Sequence, residues 1–433
     1  MMTKLTSLIT FPIIIVFLVS ILSVYLQSLP LLGSMHYEYS AVQSVILFLS
    51  VGIMTIFYLR KYNSLGVLLH IIITKHRFYL LLLILPLVIS IFSNVLFQKC
   101  PIGEGFLFYL VITIPAYFFG IVVAAFSFSV NKKFSYLIFI LITLILLLSS
   151  LLEFYLNPQI YFYNPIIGIF PGTIYDEDIS IDSTLVKYRL LNVFIFSVIL
   201  WIILRIVNKK QKLKYFCNFT IGIIVLLLYF TKPFLGFSST QHSIENVLRE
   251  SVVTPNYKIV YALTIKEEKK RLILFEHEYY YNLLLKESKL KPSNLITSYI
   301  FDSSNQKRKL FGTKAANVAK PWLSQIYLDQ FGLSSTLKHE LTHIFAAEIG
   351  STIFEITPGF NFALLEGYAT ALENDAGGYD LDYLVFLGNK SGYKIDLDGL
   401  FSKLNFFASA PTVSYIYAGS FIKYLINQYG IDS

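Results

Sequence analysis

The sequence predicts an α-helical membrane bundle of about seven spans, residues 1–236, followed by an α+β domain, residues 237–433. Three observations carry that reading. The chain is 55% hydrophobic and only 14% charged, with 38 phenylalanines and 31 tyrosines, the profile of an integral membrane protein. Its first half is a series of long apolar stretches separated by short polar ones. Its second half alternates strand-like and helix-like patterns at ordinary polarity.

Seven stretches have the length and apolarity of a bilayer span: 8–26, 41–59, 78–97, 106–127, 134–156, 190–207 and 215–236. Segment 65–73 is too short to cross. The first stretch runs out through Tyr25-Leu26-Gln27-Ser28-Leu29-Pro30 without a small-residue cleavage site, so it reads as an uncleaved helix. With the N-terminus inside, the inner connections collect Lys4, Arg60, Lys61, Lys75, Arg77, Lys132, Lys133, Arg205, Lys209, Lys210, Lys212 and Lys214. The outer ones hold only Lys99, Lys187 and Arg189. This asymmetry follows the positive-inside rule. It predicts a multi-pass protein with a cytoplasmic N-terminus and, after an odd number of spans, an extracytoplasmic second domain. Much of the net charge of +8 is thereby assigned to membrane orientation, and no nucleic-acid partner is expected. Glu153 and Arg205 fall near span ends, and no run of ionisable residues suggests an ion path.

The two cysteines, Cys100 and Cys217, lie at opposite ends of spans, about 30 Å apart across a bilayer, so no disulfide joins them. The longest outer connection, 157–189, carries Asp176-Glu177-Asp178. Such a run suits either a solvated loop, a hard cation, or docking against the second domain.

In the second half, 256–263 reads as a strand and 267–289 as a helix, with His277 a packing or surface residue. Strands are expected at 295–301 and 309–312, around a polar turn at 302–306, and again at 324–328.

Thr336-Leu337-Lys338-His339-Glu340-Leu341-Thr342-His343 then supplies His-Glu-x-x-His. Residues four apart share a helix face, so His339 and His343 can present two imidazoles to one metal ion, with Glu340 beside them to hold a water. Ser334 and Ser335 are cap-type residues before it, and Gly350 is a stop after it. A second helix is bounded by Pro358-Gly359, a capping Asn361 and a closing Gly377-Gly378. It carries Glu366 in apolar company and Glu373 seven residues on, on the same face. Glu366 is the third ligand candidate. Glu373 can reach a ligand's second ring nitrogen or a substrate amine.

His339-Glu-Leu-Thr-His343 followed by Leu365-Glu366-Gly-Tyr-Ala-Thr-Ala-Leu-Glu373 resembles the gluzincin metallopeptidases, in particular their peptidase-MA-like branch and more distantly the aminopeptidase-N-like enzymes. Ser414-Tyr415-Ile-Tyr417-Ala418-Gly-Ser-Phe-Ile-Lys-Tyr-Leu425 resembles that family's tyrosine segment, with Tyr415 in the transition-state position and Tyr417 as the alternative. The resemblance spans roughly residues 250–433. It implies a gluzincin-type metallopeptidase domain binding Zn2+ through His339, His343 and Glu366, with Glu340 as general base and Tyr415 as oxyanion donor. It also implies a last sheet strand, 324–328, at an edge where an extended peptide or protein substrate pairs.

There are departures. The amine-anchoring Gly-x-Met-Glu-Asn of the aminopeptidase-N-like enzymes is replaced by Leu310-Phe-Gly-Thr-Lys-Ala-Ala-Asn317, which favours endopeptidase action. The chain stops at Ser433, directly after the tyrosine segment, where the resemblance implies further helices.

Three other readings compete with this one. A site-2-type intramembrane protease would use Leu397-Asp398-Gly399, but Asp375, Asp380, Asp382, Lys390 and Asp396 make that region too polar for a membrane helix. Prenyl-protein proteases interleave their catalytic residues with spans. A seven-span receptor or assembly protein with a peptidase-like binding ectodomain is the non-catalytic alternative, and the intact ligand set argues against it.

Overall fold

The computed structural model describes residues 2–98, 101–172, 179–206, 211–350, 352–356, 361–393, 395–402, 406 and 411–431. The chain divides into two compact units, Met1–Thr240 and Gln241–Ser433, against an expected boundary at 236.

The first unit is helical: α1 (Met2–Leu26), α2 (Tyr37–Tyr62), α3 (Leu68–Thr74), α4 (His76–Ser93), α5 (Ile102–Phe108), α6 (Ile114–Val130), α7 (Ser135–Leu156), α8 (Ser183–Ile206) and α9 (Gln211–Thr231). A two-stranded hairpin, β1 (Phe162–Asn164) and β2 (Gly168–Phe170), interrupts the connection before α8. Wide π turns extend α4 over Asn94–Gln98 and join α5 to α6 over Tyr109–Thr113. Among the described residues, five helices are long and apolar enough to cross a membrane: Tyr37–Tyr62, His76–Phe97, Ile102–Val130, Ser135–Leu156 and Ser183–Arg205. Thr10–Leu26 and Phe219–Thr231, the expected first and seventh spans, are shorter apolar stretches. A membrane-type helical bundle is therefore present, and five of its helices meet the length criterion rather than seven.

Sixty-one per cent of the apolar window is buried in Tyr37–Tyr62 and in Ile102–Val130, against 22% in the other three, so these two helices are the centre of the bundle. Their close approach depends on Gly120, where a Cβ would stand 2.5 Å from the Phe48 carbonyl oxygen. Arg189 is not in an outer connection as expected. Helix α8 starts at Ser183 and carries Arg189 into the bundle, where its buried guanidinium donates to the carbonyls of Val111, Ile112 and Pro165. Two of these belong to a π turn, whose widened ladder leaves carbonyls available. Glu153 falls near the end of α7, as expected, but does not reach the interface. It is buried and paired with Lys232, because Gln159 and Lys232 converge on its carboxylate instead of solvent.

The second unit is α+β. In order it contains α10 (Gln241–Leu248), β3 (Arg249–Val253), β4 (Tyr257–Ala262), α11 (Glu267–Ser288), β5 (Ile296–Phe301), α12 (Ser304–Leu310), β6 (Val318–Lys320), β7 (Gln325–Asp329), α13 (Leu333–Ala346), α14 (Phe362–Glu373), α15 (Leu381–Lys390), α16 (Leu397–Leu400) and α17 (Pro411–Tyr429). The sheet order is β3-β4-β5-β7-β6, with β4, β5 and β7 parallel and both outer strands antiparallel to their neighbours. Every residue of β7 is buried, the pattern of a central strand rather than an edge. This corrects the expected edge. Strand β6 covers β7 through Ala319↔Ile326 and its flanking pairs, and among the described residues β6 is the outer strand of the sheet on that side.

The strand expected at 309–312 is absent. Ser303 Oγ accepts from Gln306 N at 3.3 Å and Gln306 Oε1 accepts from Asp302 N at 2.9 Å. That reciprocal arrangement starts α12 where a polar turn was expected. His277 is fully buried, held by the Ile273 carbonyl at 2.7 Å and Ser298 Oγ at 2.9 Å, which makes it a packing residue. Cys100, Asp176–Asp178 and Pro358-Gly359 lie outside the described residues, and Cys217 is a free thiol.

Candidate metal centre

Helix α13 packs against β6, β7, α11 and α14, and its Leu333, Leu337, Leu341, Ile344 and Phe345 are all buried, the last against Tyr281 of α11. Its start is not capped by Ser334 or Ser335 as expected. Asp329, the last residue of β7, accepts from the N–H groups of Phe331 and Gly332 at 3.0 and 2.9 Å and so turns the chain into the helix. Ser334 is thereby on the first turn and donates to Glu276 instead.

Asp329 is itself fixed by Lys307, whose ammonium is fully buried and lies 2.9 Å from Asp329 Oδ2 and 2.6 Å from Asn317 Oδ1. Burial would raise the Asp329 carboxyl, but Lys307 and the Gly332 and Phe331 N–H groups hold it below its usual range. Neither Lys307 nor Asn317 was singled out from sequence. Asp329-x-x-Gly332 was the available signal, a turn-forming aspartate just ahead of a helix.

Helix α14 is capped as expected, with Asn361 Oδ1 accepting from Leu364 N at 3.2 Å. It ends at Asn374 in the left-handed conformation, three residues before the expected Gly377. Lys338 ties α13 to α14 and α11, donating to the Leu372 carbonyl at 2.5 Å and pairing with Glu287 at 2.8 Å. On its other side α14 meets α17 at Gly367, where a Cβ would lie 3.0 Å from the Ala418 carbonyl oxygen. A Cβ on the residue after Glu366 would therefore be tight against the α17 backbone.

These contacts bring His339, His343 and Glu366 together, with one ligand atom from each lying within 4.8 Å of the others. Glu366 Oε2 stands 3.3 Å from His339 Nε2 and 3.4 Å from His343 Nε2. On the other side of its ring, His339 Nδ1 is 3.3 Å from Glu373 Oε2. A carboxylate only accepts, so each contact calls for a proton on the ring nitrogen or a cation in its place. Burial lowers the His339 imidazole, but Glu366 and Glu373 outweigh it and raise it to about 10. Burial likewise would raise Glu366, yet the two imidazoles hold it well below the carboxylate range.

Glu340, one residue on from His339, is buried, and the Ala319 N–H of β6 donates to it. Burial pushes its carboxyl up, Glu366 adds to the effect, and His339 and His343 oppose it. The Tyr415 ring lies 6.2 Å from the His339 ring and 5.3 Å from Phe406. Tyr417, the alternative, points its hydroxyl away, to Asn389 Oδ1 at 3.2 Å and the Tyr393 carbonyl at 3.1 Å.

The residues fit a tetrahedral zinc ion. Ligand atoms about 2.0–2.1 Å from such an ion stand roughly 3.3–3.4 Å from one another. The two imidazole–carboxylate separations fall at that spacing. The chain matches no protein-family model, no curated protein and no solved structure.

Proposed function

We propose that the second unit is a zinc-dependent peptidase of gluzincin type, tethered by a membrane bundle and acting by general-base hydrolysis of peptide bonds, with internal bonds as its targets. The observation that carries this reading is the convergence of His339, His343 and Glu366 from two helices, with a buried Glu340 at the same place.

His339, His343 and Glu366 would hold the ion. When bound, zinc supplies Lewis acidity that polarises a peptide carbonyl and lowers the pKa of water. Glu340 accepts a proton from the attacking water and returns it to the leaving amine, work worth roughly 10²–10⁴ in rate. Tyr415 donates its hydroxyl to the oxygen on which charge develops. Glu373 fixes the ring of His339. The outer strand β6 accepts an extended peptide on its remaining backbone groups and brings it past Ala319, whose N–H donates to Glu340. The absence of an amine-anchoring motif leaves both ends of that peptide unrestricted. With an odd number of spans and the N-terminus inside, the site faces away from the cytoplasm.

The test uses the full-length protein in detergent beside Glu340→Gln. Both are assayed for bound zinc and for hydrolysis of a quenched peptide library. One zinc per chain in each, with turnover at least about a hundredfold lower in the variant, is the expected result. Zinc in both without turnover in either would make the unit a metal-bearing binding module. No zinc in either would sink the metal assignment.

A further inference from the structure

Helix α11 has two apolar faces, and the second unit uses one of them. Ile273, His277, Tyr281 and Leu284 are buried, with His277 against Ser298 of β5 and Tyr281 against Phe345 of α13. On the opposite face Leu272, Phe275 and Tyr279 are 44%, 67% and 52% exposed. The Phe275 and Tyr279 rings stack on one another with centroids 6.3 Å apart, so they form one continuous aromatic surface. Scattered exposed apolar residues are ordinary, but three in succession along one helix face are a patch.

The patch is the middle of a longer exposed line: Glu268, Leu272, Phe275, Tyr279, Asn282 and Lys286. Its steps are four, three, four, three and four residues, the spacing of a coiled-coil seam. That series reads the same from either end, so the line matches a reversed copy of itself.

We propose that this face pairs with the same face of a second copy of the chain, α11 against α11 and antiparallel. Registered about residue 277, Glu268 meets the partner's Lys286, Leu272 meets the partner's Asn282, and Phe275 meets the partner's Tyr279. Each contact occurs twice, as a two-fold interface requires. A parallel pair would instead set Glu268 on Glu268 and Lys286 on Lys286, so charge selects the antiparallel arrangement.

The helix has 22 residues and is about 33 Å long, and a face about 10 Å wide covers roughly 330 Å². A standard interface takes roughly 800 Å² from each partner. The contact is therefore weak between freely diffusing molecules. Anchoring in one bilayer confines the copies and raises their effective concentration. The pairing uses no residue of the metal centre, and it stands whether or not the second unit hydrolyses peptides.

The experiment treats the full-length protein in phosphatidylcholine vesicles with a carbodiimide, which joins a carboxylate directly to an amine, and identifies the joined peptides. Along one helix Glu268 and Lys286 are 18 residues, about 27 Å, apart, so a Glu268–Lys286 product forms only between two copies. The wild-type protein is expected to give that product. Phe275→Glu is expected to lower its yield at least about tenfold, because each pair loses two buried rings. Phe275 is exposed within one copy, so the variant is expected to fold, and a thermal unfolding curve matching wild type checks it. Exchanging the charges, Glu268→Lys with Lys286→Glu, should preserve a product joining the same two positions. Absence of the product from the wild-type protein would overturn the proposal and leave the face to the bilayer surface or to another protein. So would a yield that Phe275→Glu leaves unchanged, or loss of the product in the charge-exchanged variant.

Discussion

Glu373 Oε2 lies 3.3 Å from Nδ1 of His339, the ring nitrogen that faces away from Glu366. Removing that carboxylate leaves the ligand in place but releases its ring and tautomer. Glu373→Gln is expected to weaken zinc binding roughly 10–100-fold, as loss of a ligand's outer partner generally does. Competition against a graded chelator measures it. An unchanged affinity would mean that the contact orients nothing.

Tyr415 and Tyr417 should separate cleanly. Tyr415→Phe is expected to lower turnover on the order of 10²–10³ with zinc retained, the loss of one oxyanion donor. Tyr417→Phe loses hydrogen bonds to Asn389 and Tyr393 and should cost stability of about 1 kcal/mol with turnover near normal. Steady-state kinetics and thermal unfolding of the two variants decide the assignment. Reversed outcomes would move the donor role to Tyr417.

Gly367 is where α14 rests against the backbone of α17. In Gly367→Ala the new Cβ meets the Ala418 oxygen at 3.0 Å, its carbon at 3.1 Å and its Cβ at 3.1 Å. A helix backbone yields little, so a loss of about 1–3 kcal/mol is expected. Glu366 is the preceding residue, so zinc affinity should fall along with stability. Thermal unfolding with and without zinc reads both effects.

His277 gives the second unit a pH dependence of its own. Burial lowers its imidazole from 6.5 to about 4. The unfolded chain therefore binds the proton more readily, and the stability gained by burying the neutral ring is present above about pH 6.5 and lost as pH falls through 4. The full effect is on the order of 3 kcal/mol. Zinc-loaded protein unfolded thermally at a series of pH values should show this acid-side loss, and His277→Gln should flatten it. Parallel profiles for the two proteins would exclude His277 as the source.

How much of the site was legible depends on how local its geometry is. His339, Glu340 and His343 lie within one helical turn and a half, so their shared face follows from helix pitch once a helix is granted. Glu366 and Glu373 share a face for the same reason. The start of α13 is not legible locally: Ser334 and Ser335 are cap-type residues, but the turn is made by Asp329, held from the side by a lysine 22 residues earlier in the chain. The strand expected at 309–312 failed for a local reason, a reciprocal Ser303–Gln306 cap mistaken for a turn.

By itself, the sequence determined the membrane character of the first half, the α+β character of the second and the spacing of the two histidines. Hydropathy and helix pitch are properties of short segments, and they survive without knowledge of what packs against them. Tertiary structure alone decided the rest. It placed β6 rather than β7 at the edge, buried the Arg189 and Glu153 side chains instead of leaving them to an outer connection and the interface, and chose Tyr415 over Tyr417 as the neighbour of His339. Each of these turns on which backbone groups and side chains meet across long sequence separations. Burial makes such pairings obligatory, and composition along the chain does not encode which partners will meet.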